Sequence, residues 1–213
     1  MGNIYLFNDY NSISSLNSSL SKCTGCQYGV HSKKVGGVGP PTCNLMIVGQ
    51  HPGPKEVSSG IPFFGASGKM LKNIMKKVKL DPDSCYLTNA VKCKPMGEDK
   101  LTTFAIKACH HWLDMECDIV APKLIVALGM VASDYLVGPD TKVGVEIKGR
   151  YGIPVVATYH TAYILRLKKA MENSVEVEET EGKPSFVKKR YDDIVKEVKA
   201  HWDLIQSIVK RCS

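Results

Sequence analysis

The chain has 213 residues, of which 44% are hydrophobic and 23% are charged. These proportions are typical of a globular domain and exclude a disordered chain or a collagen-like repeat. Lys and Arg outnumber Asp and Glu by 28 to 21, which weakly favours a polyanionic partner because cationic side chains contact phosphates. No apolar run approaches the ~18 residues of a membrane span, and no secretory signal is recognisable. We expect a cytoplasmic monomer without membrane association.

The first half of the chain predicts one strand between two helices. A polar helix over 8–21 ends before the first pair of cysteines, and the apolar run 45–48 predicts a buried strand. A loop rich in Gly and Pro covers 49–65. A second helix follows, with apolar residues at helical spacing: Met70, Leu71, Ile74, Met75 and Val78.

The second half continues the alternation. Strands are predicted at 85–91, 124–128 and 154–158, separated by helices at 104–119 and 130–136. Strands that alternate with helices predict an α/β fold, in which a parallel sheet is covered on both faces.

The end of the chain departs from this alternation. The acidic segment 175–183 predicts an exposed loop, and 185–211 predicts an amphipathic helix that packs on the sheet. Its apolar residues recur every three or four positions: Val187, Tyr191, Ile194, Val198, Trp202, Ile205 and Val209. We treat 1–213 as a single domain.

Three predicted strands run directly into polar loops. These loops begin with Gly49-Gln50-His51, with Asn89, and with Tyr159-His160-Thr161. In parallel α/β folds the ligand site lies beyond the carboxyl ends of the strands. The three loops are therefore expected to share one crevice.

Four of the eight cysteines suggest a metal site. Cys23 and Cys26 form a C-x2-C pair, and Cys93 and Cys109 lie far downstream. Structural disulfides are uncommon in a reducing compartment, and such thiolates ligate zinc or an iron–sulfur cluster. The lack of a second C-x2-C pair slightly favours a 4Fe-4S cluster, although spacing alone does not decide the metal. The others are expected to be small buried hydrophobes, with Cys43 the first substitute ligand.

Four motifs follow one another along the chain. They are Gly-Gln-His-Pro-Gly-Pro-Lys-Glu at 49–56, Gly-Ile-Pro-Phe-Phe-Gly-Ala-Ser-Gly at 60–68, Thr-Asn-Ala-Val-Lys-Cys-Lys-Pro at 88–95, and Tyr-His-Thr-Ala at 159–162. With the four cysteines, they resemble the family 4 uracil-DNA glycosylases, the iron–sulfur branch of the uracil-DNA glycosylase superfamily. The resemblance covers roughly residues 20–170. It implies a three-layer α/β/α sandwich around a mostly parallel four-stranded sheet, and a 4Fe-4S cluster on Cys23, Cys26, Cys93 and Cys109.

The resemblance also implies an activity, which is hydrolysis of the N-glycosidic bond of deoxyuridine in single- or double-stranded DNA. The nucleotide must first flip out of the helix into a pocket. By resemblance, Phe63 stacks on uracil, Asn89 reads uracil N3 and O4, and His160 donates to O2 of the leaving base. Gly49 and His51 are assigned to the same pocket. The loop with Tyr163, Ile164 and Leu165 is a candidate for an apolar wedge that fills the gap left by the flipped base, and the DNA contacts are assigned to Tyr163, Leu165 and Arg166.

The first and last motifs depart from the family pattern. Gln50 stands where the family has Glu, whereas the second acidic position is kept as Glu56. A carboxylate orients water and stabilises an oxocarbenium-like centre, but an amide only orients water, so His51 is a candidate for part of that role. Thr161 replaces the usual Pro, and Val57 replaces an Asp. The expected catalytic set is Gln50, Glu56 and His160.

These departures leave other interpretations open. The chain is alternatively a catalytically weak relative that binds DNA or uracil sites, or an enzyme for a modified pyrimidine. A covalently crosslinking branch of the superfamily resembles the segment 108–112 but carries a basic insertion, and the fifteen residues between Cys93 and Cys109 are too few for it. A zinc-stabilised nucleotide-binding domain would make the four ordered motifs a coincidence.

Overall fold

A five-stranded sheet forms the centre of the fold. The computed structural model describes residues 12–96, 101–178 and 186–212. The strand order is β2-β1-β3-β5-β4. The strands are β1 (Leu45–Gly49), β2 (Tyr86–Asn89), β3 (Leu124–Leu128), β4 (Glu146–Lys148) and β5 (Pro154–Thr158). Four are parallel, with Ile47 of β1 opposite Leu87 of β2 and Val126 of β3. The predicted α/β class and the four apolar strands are confirmed.

The prediction of a four-stranded sheet is wrong by one strand. β4 pairs antiparallel with β5 at the edge of the sheet, where Ile147 lies opposite Val155. Its three side chains are exposed or only partly buried. An edge strand of this kind is held by main-chain hydrogen bonds and presents no apolar run, so the hydrophobic pattern did not reveal it.

Eight helices are described around the sheet. They are α1 (Ile13–Leu20), α2 (Gln27–His31), α3 (Pro54–Ser59), α4 (Ala66–Lys77), α5 (Thr103–Val120), α6 (Met130–Leu136), α7 (Thr161–Glu178) and α8 (Phe186–Cys212). The hydroxyl of Ser12 accepts a hydrogen bond from Ser15 N–H at 3.2 Å, which caps α1 later than the predicted start. Residues 175–178 are helical and not a loop because α7 continues to Glu178; residues 179–183 lie outside the described part.

The helices form two layers around the sheet, as the sandwich prediction requires. One face of the sheet packs against α4, α7 and α8, and its largest buried side chain is Trp202. The opposite face packs against α5 and α6. A smaller cluster joins α1 to α5 around Trp112. None of the described helices is long and apolar enough to cross a membrane.

The four parallel strands end at the same edge, and their next residues remain hydrogen-bonded. The Ala90 N–H donates to the Gly49 carbonyl at 2.9 Å, and the Val91 N–H donates to the Gln50 carbonyl at 2.9 Å. Between β3 and β5, the Gly129 N–H donates to the Thr158 carbonyl at 2.9 Å. These bonds hold the first and third motifs beside each other.

Candidate active site and cysteine cluster

Three predicted pocket residues meet at the end of β1. A Cβ atom on Gly49 would lie 2.4 Å from Asn89 Oδ1 and 2.8 Å from Phe63 Cζ. The amide of Asn89 and the ring of Phe63 therefore both pack directly on the Gly49 main chain, where only glycine fits. Asn89 is 3% exposed and Phe63 is 5% exposed. Within the described part of the chain, the Asn89 amide makes no side-chain hydrogen bond.

The main chain of Phe63 is held in an uncommon conformation. Its φ is +56°, a left-handed value that costs a non-glycine residue of order 1–3 kcal/mol. A Cβ on Gly68 would lie 1.7 Å from the Phe63 carbonyl oxygen. The first turn of α4 thus approaches Phe63 so closely that position 68 must be glycine. This contact maintains the strained residue with its ring against Gly49.

A buried ion pair lies behind Asn89. The ammonium group of Lys92 donates to the Asn89 carbonyl at 2.8 Å, to Thr88 Oγ1 at 2.7 Å and to Glu116 Oε2 at 2.6 Å. The other Glu116 oxygen accepts the Gly37 N–H at 3.0 Å. The Lys92 and Glu116 side chains are 0% and 1% exposed. All three Lys92 donors are used, so the network fixes the main chain from which the Asn89 amide projects.

His160 lies between β5 and α7, and the first turn of α7 orients its ring. The Ala162 N–H donates to His160 Nδ1 at 3.1 Å. Because Nδ1 accepts this bond, the neutral ring carries its proton on Nε2. Burial, together with His51 and the Arg166 charge, lowers the pKa of His160 to about 4. At neutral pH His160 therefore presents an uncharged N–H donor, which fits the predicted bond to uracil O2.

His51 carries its proton on the other nitrogen. His51 Nδ1 lies 3.0 Å from the Pro52 carbonyl, and a carbonyl only accepts, so Nδ1 is the protonated nitrogen. Burial lowers the pKa of His51, and the Lys94 charge lowers it further. The Nε2 atom of His51 is consequently a lone-pair acceptor. The two histidines are electrostatically coupled and offer opposite hydrogen-bonding roles.

The two other expected catalytic residues, Glu56 and Gln50, differ in the hydrogen bonds that they make. Glu56 Oε2 accepts the Gly53 N–H at 2.5 Å, and this bond caps the start of α3. Gln50 is partly exposed, and its main-chain carbonyl is bound to the Val91 N–H. The structure therefore gives Glu56 a local structural bond and leaves Gln50 a neutral amide next to His51.

Thr161 has a partner that proline would lack. Its hydroxyl lies 2.6 Å from the hydroxyl of Ser67 in α4. This bond connects the residue after His160 to the helix that supports Phe63. The departure from the family's His-Pro is thus accommodated by a new hydrogen bond, which the sequence did not reveal because 94 residues separate the two hydroxyls.

The C-terminal helix α8 supports the His160 segment from the other side. His201 Nδ1 lies 2.9 Å from Thr158 Oγ1, and the Tyr159 hydroxyl donates to Glu197 Oε2 at 2.7 Å. The helical periodicity of α8 predicted its packing but not these polar contacts.

The three residues assigned to DNA contact lie in the first turns of α7, where a loop was expected. Tyr163 packs against the core, and its hydroxyl accepts a hydrogen bond from Arg190 at 3.1 Å. Ile164 is buried. Leu165 is partly exposed and Arg166 is exposed. Leu165 is therefore more available than Ile164 as an apolar wedge.

The four cysteines come from three segments that pack together. Cys23 packs against the cluster that contains Cys109, and Cys26 packs against the cluster that contains Cys93. Burial, with the neighbouring thiols, raises the pKa of Cys93 to about 12, and burial raises that of Cys109 to about 11. The Lys92 N–H donates to Cys109 Sγ at 3.2 Å.

Other cysteines are arranged differently. Cys43 donates to the Leu45 carbonyl at 3.2 Å at the opposite end of β1, and it interacts electrostatically with Cys85. It is therefore not placed as a substitute ligand. No group of three or more His, Cys, Asp or Glu among the described residues is close enough to hold a single metal ion.

Comparison with known proteins identifies the family of this chain. The model of the Uracil DNA glycosylase superfamily matches residues 37–187. A type-4 uracil-DNA glycosylase of Thermotoga maritima is 32% identical, over 80% of this chain and 92% of that protein. A type-4 enzyme of Sulfurisphaera tokodaii is 34% identical, over 72% and 76% of the two chains. One from Pyrobaculum aerophilum is 28% identical, over 71% and 83%. The chain belongs to the uracil-DNA glycosylase superfamily, and within it to the type-4 family.

Proposed function

We propose that this protein is a DNA repair glycosylase that hydrolyses the N-glycosidic bond of deoxyuridine. The observation that carries the proposal is the joint packing of the Asn89 amide and the Phe63 ring on Gly49, at the edge of the sheet where α/β folds bind ligands. Membership of the superfamily and the names of the type-4 relatives support the same activity. Uracil-containing DNA is the proposed partner.

The pocket supplies both a face and an edge for a flipped base. The Phe63 ring stacks on the base, while Asn89 reads its Watson–Crick edge. An amide accepts through Oδ1 and donates through Nδ2, which matches the N3–H and O4 of uracil. The Lys92 bond to the Asn89 carbonyl keeps this reading group in position, so little ordering remains when the base arrives.

His160 acts on the leaving group. Negative charge develops on uracil O2 as the bond to the sugar breaks, and the uncharged Nε2–H of His160 donates to it. A preorganised donor of this type is worth roughly 10²–10³ in rate. The Arg166 charge, which helps to keep His160 neutral, also favours an anion in this crevice.

We propose that Cys23, Cys26, Cys93 and Cys109 hold a 4Fe-4S cluster. The donor set supports this proposal, because Cys93 interacts electrostatically with the other three cysteines and the Lys92 N–H already donates to the Cys109 sulfur. When bound, the cluster would link the N-terminal segment, the loop after β2 and α5. Cys93 lies only four positions after Asn89. The same loop would therefore contribute to the cluster and to the pocket.

One observation favours a second candidate function. Gln50 is a neutral amide where the family has a carboxylate, so a protein that binds uracil sites without turnover is the alternative. The absence of a carboxylate at position 50 affects the rate of hydrolysis and leaves the base-binding residues intact.

Single-turnover cleavage of an oligonucleotide that carries one uracil separates the two functions. Alkali reveals abasic sites in single- and double-stranded substrates. We expect excision by the natural protein and loss of excision in Asn89→Ala. Asn44→Ala is the matched control, since Asn44 precedes β1 at the opposite end of the sheet. Binding without excision would support the second candidate.

A further inference from the structure

The proposed reaction needs a group that activates water, and the first motif offers three. Gln50 has no basic atom under ordinary conditions. Glu56 has one carboxylate oxygen engaged with the Gly53 N–H at 2.5 Å, and losing that bond would uncap α3. Beside the second Glu56 oxygen, His51 Nε2 is an acceptor that no described residue occupies.

The orientation of His51 is set by the chain itself. The Nδ1 proton is committed to the Pro52 carbonyl at 3.0 Å, so the ring cannot present Nδ1 as a base. The short Gln-His-Pro connection follows β1 directly. His51 is thereby fixed at the same sheet edge as Asn89 and within electrostatic range of His160.

We propose that His51 is a catalytic base, whose Nε2 accepts a proton from the attacking water. This inference rests on the proposed function and gives His51, so far only a candidate for part of the missing carboxylate's role, the specific role of proton acceptor. It explains how a chain with Gln50 retains hydrolysis: Gln50 orients the water, and His51 takes its proton.

The step balances without a further reactant. As the N1–C1′ bond breaks, its electron pair leaves with uracil, and O2 of the resulting anion accepts a hydrogen bond from His160 Nε2–H. The water oxygen forms the new bond to C1′, and one water proton passes to His51 Nε2. Solvent later carries that proton from His51 to the uracil anion, and the products are neutral uracil and an abasic sugar.

The charges around His51 suit a base of this type. The groups that face it are the Lys94 ammonium, the Glu56 carboxylate and the His160 ring. Burial and Lys94 favour the neutral imidazole, while Glu56 and the Pro52 carbonyl oppose them. The net result is a lowered pKa of His51. The ring is therefore uncharged at neutral pH, with its proton on Nδ1 and its Nε2 atom available as an acceptor.

The test compares His51→Ala with His51→Gln under single-turnover conditions. General bases contribute roughly 10²–10⁴ in rate, so we expect both variants to lose about that factor. Inhibition by free uracil and affinity for uracil-containing DNA should stay as in the natural protein, because Phe63 and Asn89 are untouched. The fall in rate on acidification should disappear in both variants.

Two further variants make the result specific. Gln50→Glu in the His51→Ala background restores a carboxylate and should recover much of the rate. His31→Ala, which alters an exposed histidine of α2, is the matched control and should have no effect.

Three results would overturn the inference. They are an unchanged rate in His51→Ala, a parallel loss of rate and uracil binding, or an acid limb that survives the substitution. Full activity in Asn89→Ala would instead contradict the proposed pocket, so the two failures are distinguishable.

Discussion

Substitution of Gly49 by alanine perturbs the pocket at its centre. The new Cβ would lie 2.4 Å from Asn89 Oδ1, whereas ordinary contacts begin at 3.4 Å. The Asn89 amide must therefore move away by about 1 Å. The Phe63 ring must also move, because its Cζ would lie 2.8 Å from the new Cβ. A misplacement of about 1 Å costs roughly 10²-fold in rate, which is the loss that we expect.

The stability cost of this substitution is measured separately from its effect on activity. Overpacking costs about 1–3 kcal/mol, and each kcal/mol lowers the melting temperature by about 2–4 °C in a chain of this size. Single-turnover excision and thermal melting therefore give separate readouts. Gly65→Ala is the control, because its Cβ would have only ordinary contacts at 3.9 and 4.0 Å. Excision by Gly49→Ala within twofold of the natural rate would refute the proposed pocket geometry.

Three further predictions concern the groups around the pocket. Glu116→Gln leaves the buried Lys92 charge without a counter-ion and should lower the free energy of unfolding by about 3–5 kcal/mol, measured by denaturant titration; a change below 1 kcal/mol would contradict the network. Below pH 6.5 the unfolded chain protonates His160 while the folded chain resists until pH about 4, so stability should fall by up to about 3 kcal/mol across that window, and His160→Gln should flatten the curve. Cys93→Ser should abolish the visible absorbance and the iron content of purified protein, whereas Cys212→Ser should preserve both; retained iron in Cys93→Ser would remove it from the ligand set.

The sequence predicts most of the sheet because its parallel strands are buried on both faces. Leu45–Gly49 and Leu124–Leu128 are fully buried and read as continuous apolar runs. Because ligands bind beyond the carboxyl ends of such strands, the sequence alone predicts that Asn89 and His160 lie at one edge of the sheet. The sequence does not predict β4, because its side chains are exposed or only partly buried and form no apolar run.

The supporting contacts of the pocket lie beyond sequence reasoning for a different reason. Lys92 and Glu116 are 24 positions apart, and an isolated charge in either element has the appearance of a surface residue. The tautomers of His51 and His160 depend on which neighbouring main-chain group lies within reach, which only coordinates reveal. One feature of the sequence points to the buried network: Lys92 directly follows the apolar residues Ala90 and Val91.

The most direct test of the account is the identity of the base that the protein releases. A duplex with a single uracil should yield free uracil, detected by mass spectrometry, together with an intact strand that carries one abasic site. Asn89→Ala should release none, although its fold is retained. Stable binding to this duplex without release of uracil, or release of another base in preference to it, would contradict the central claim.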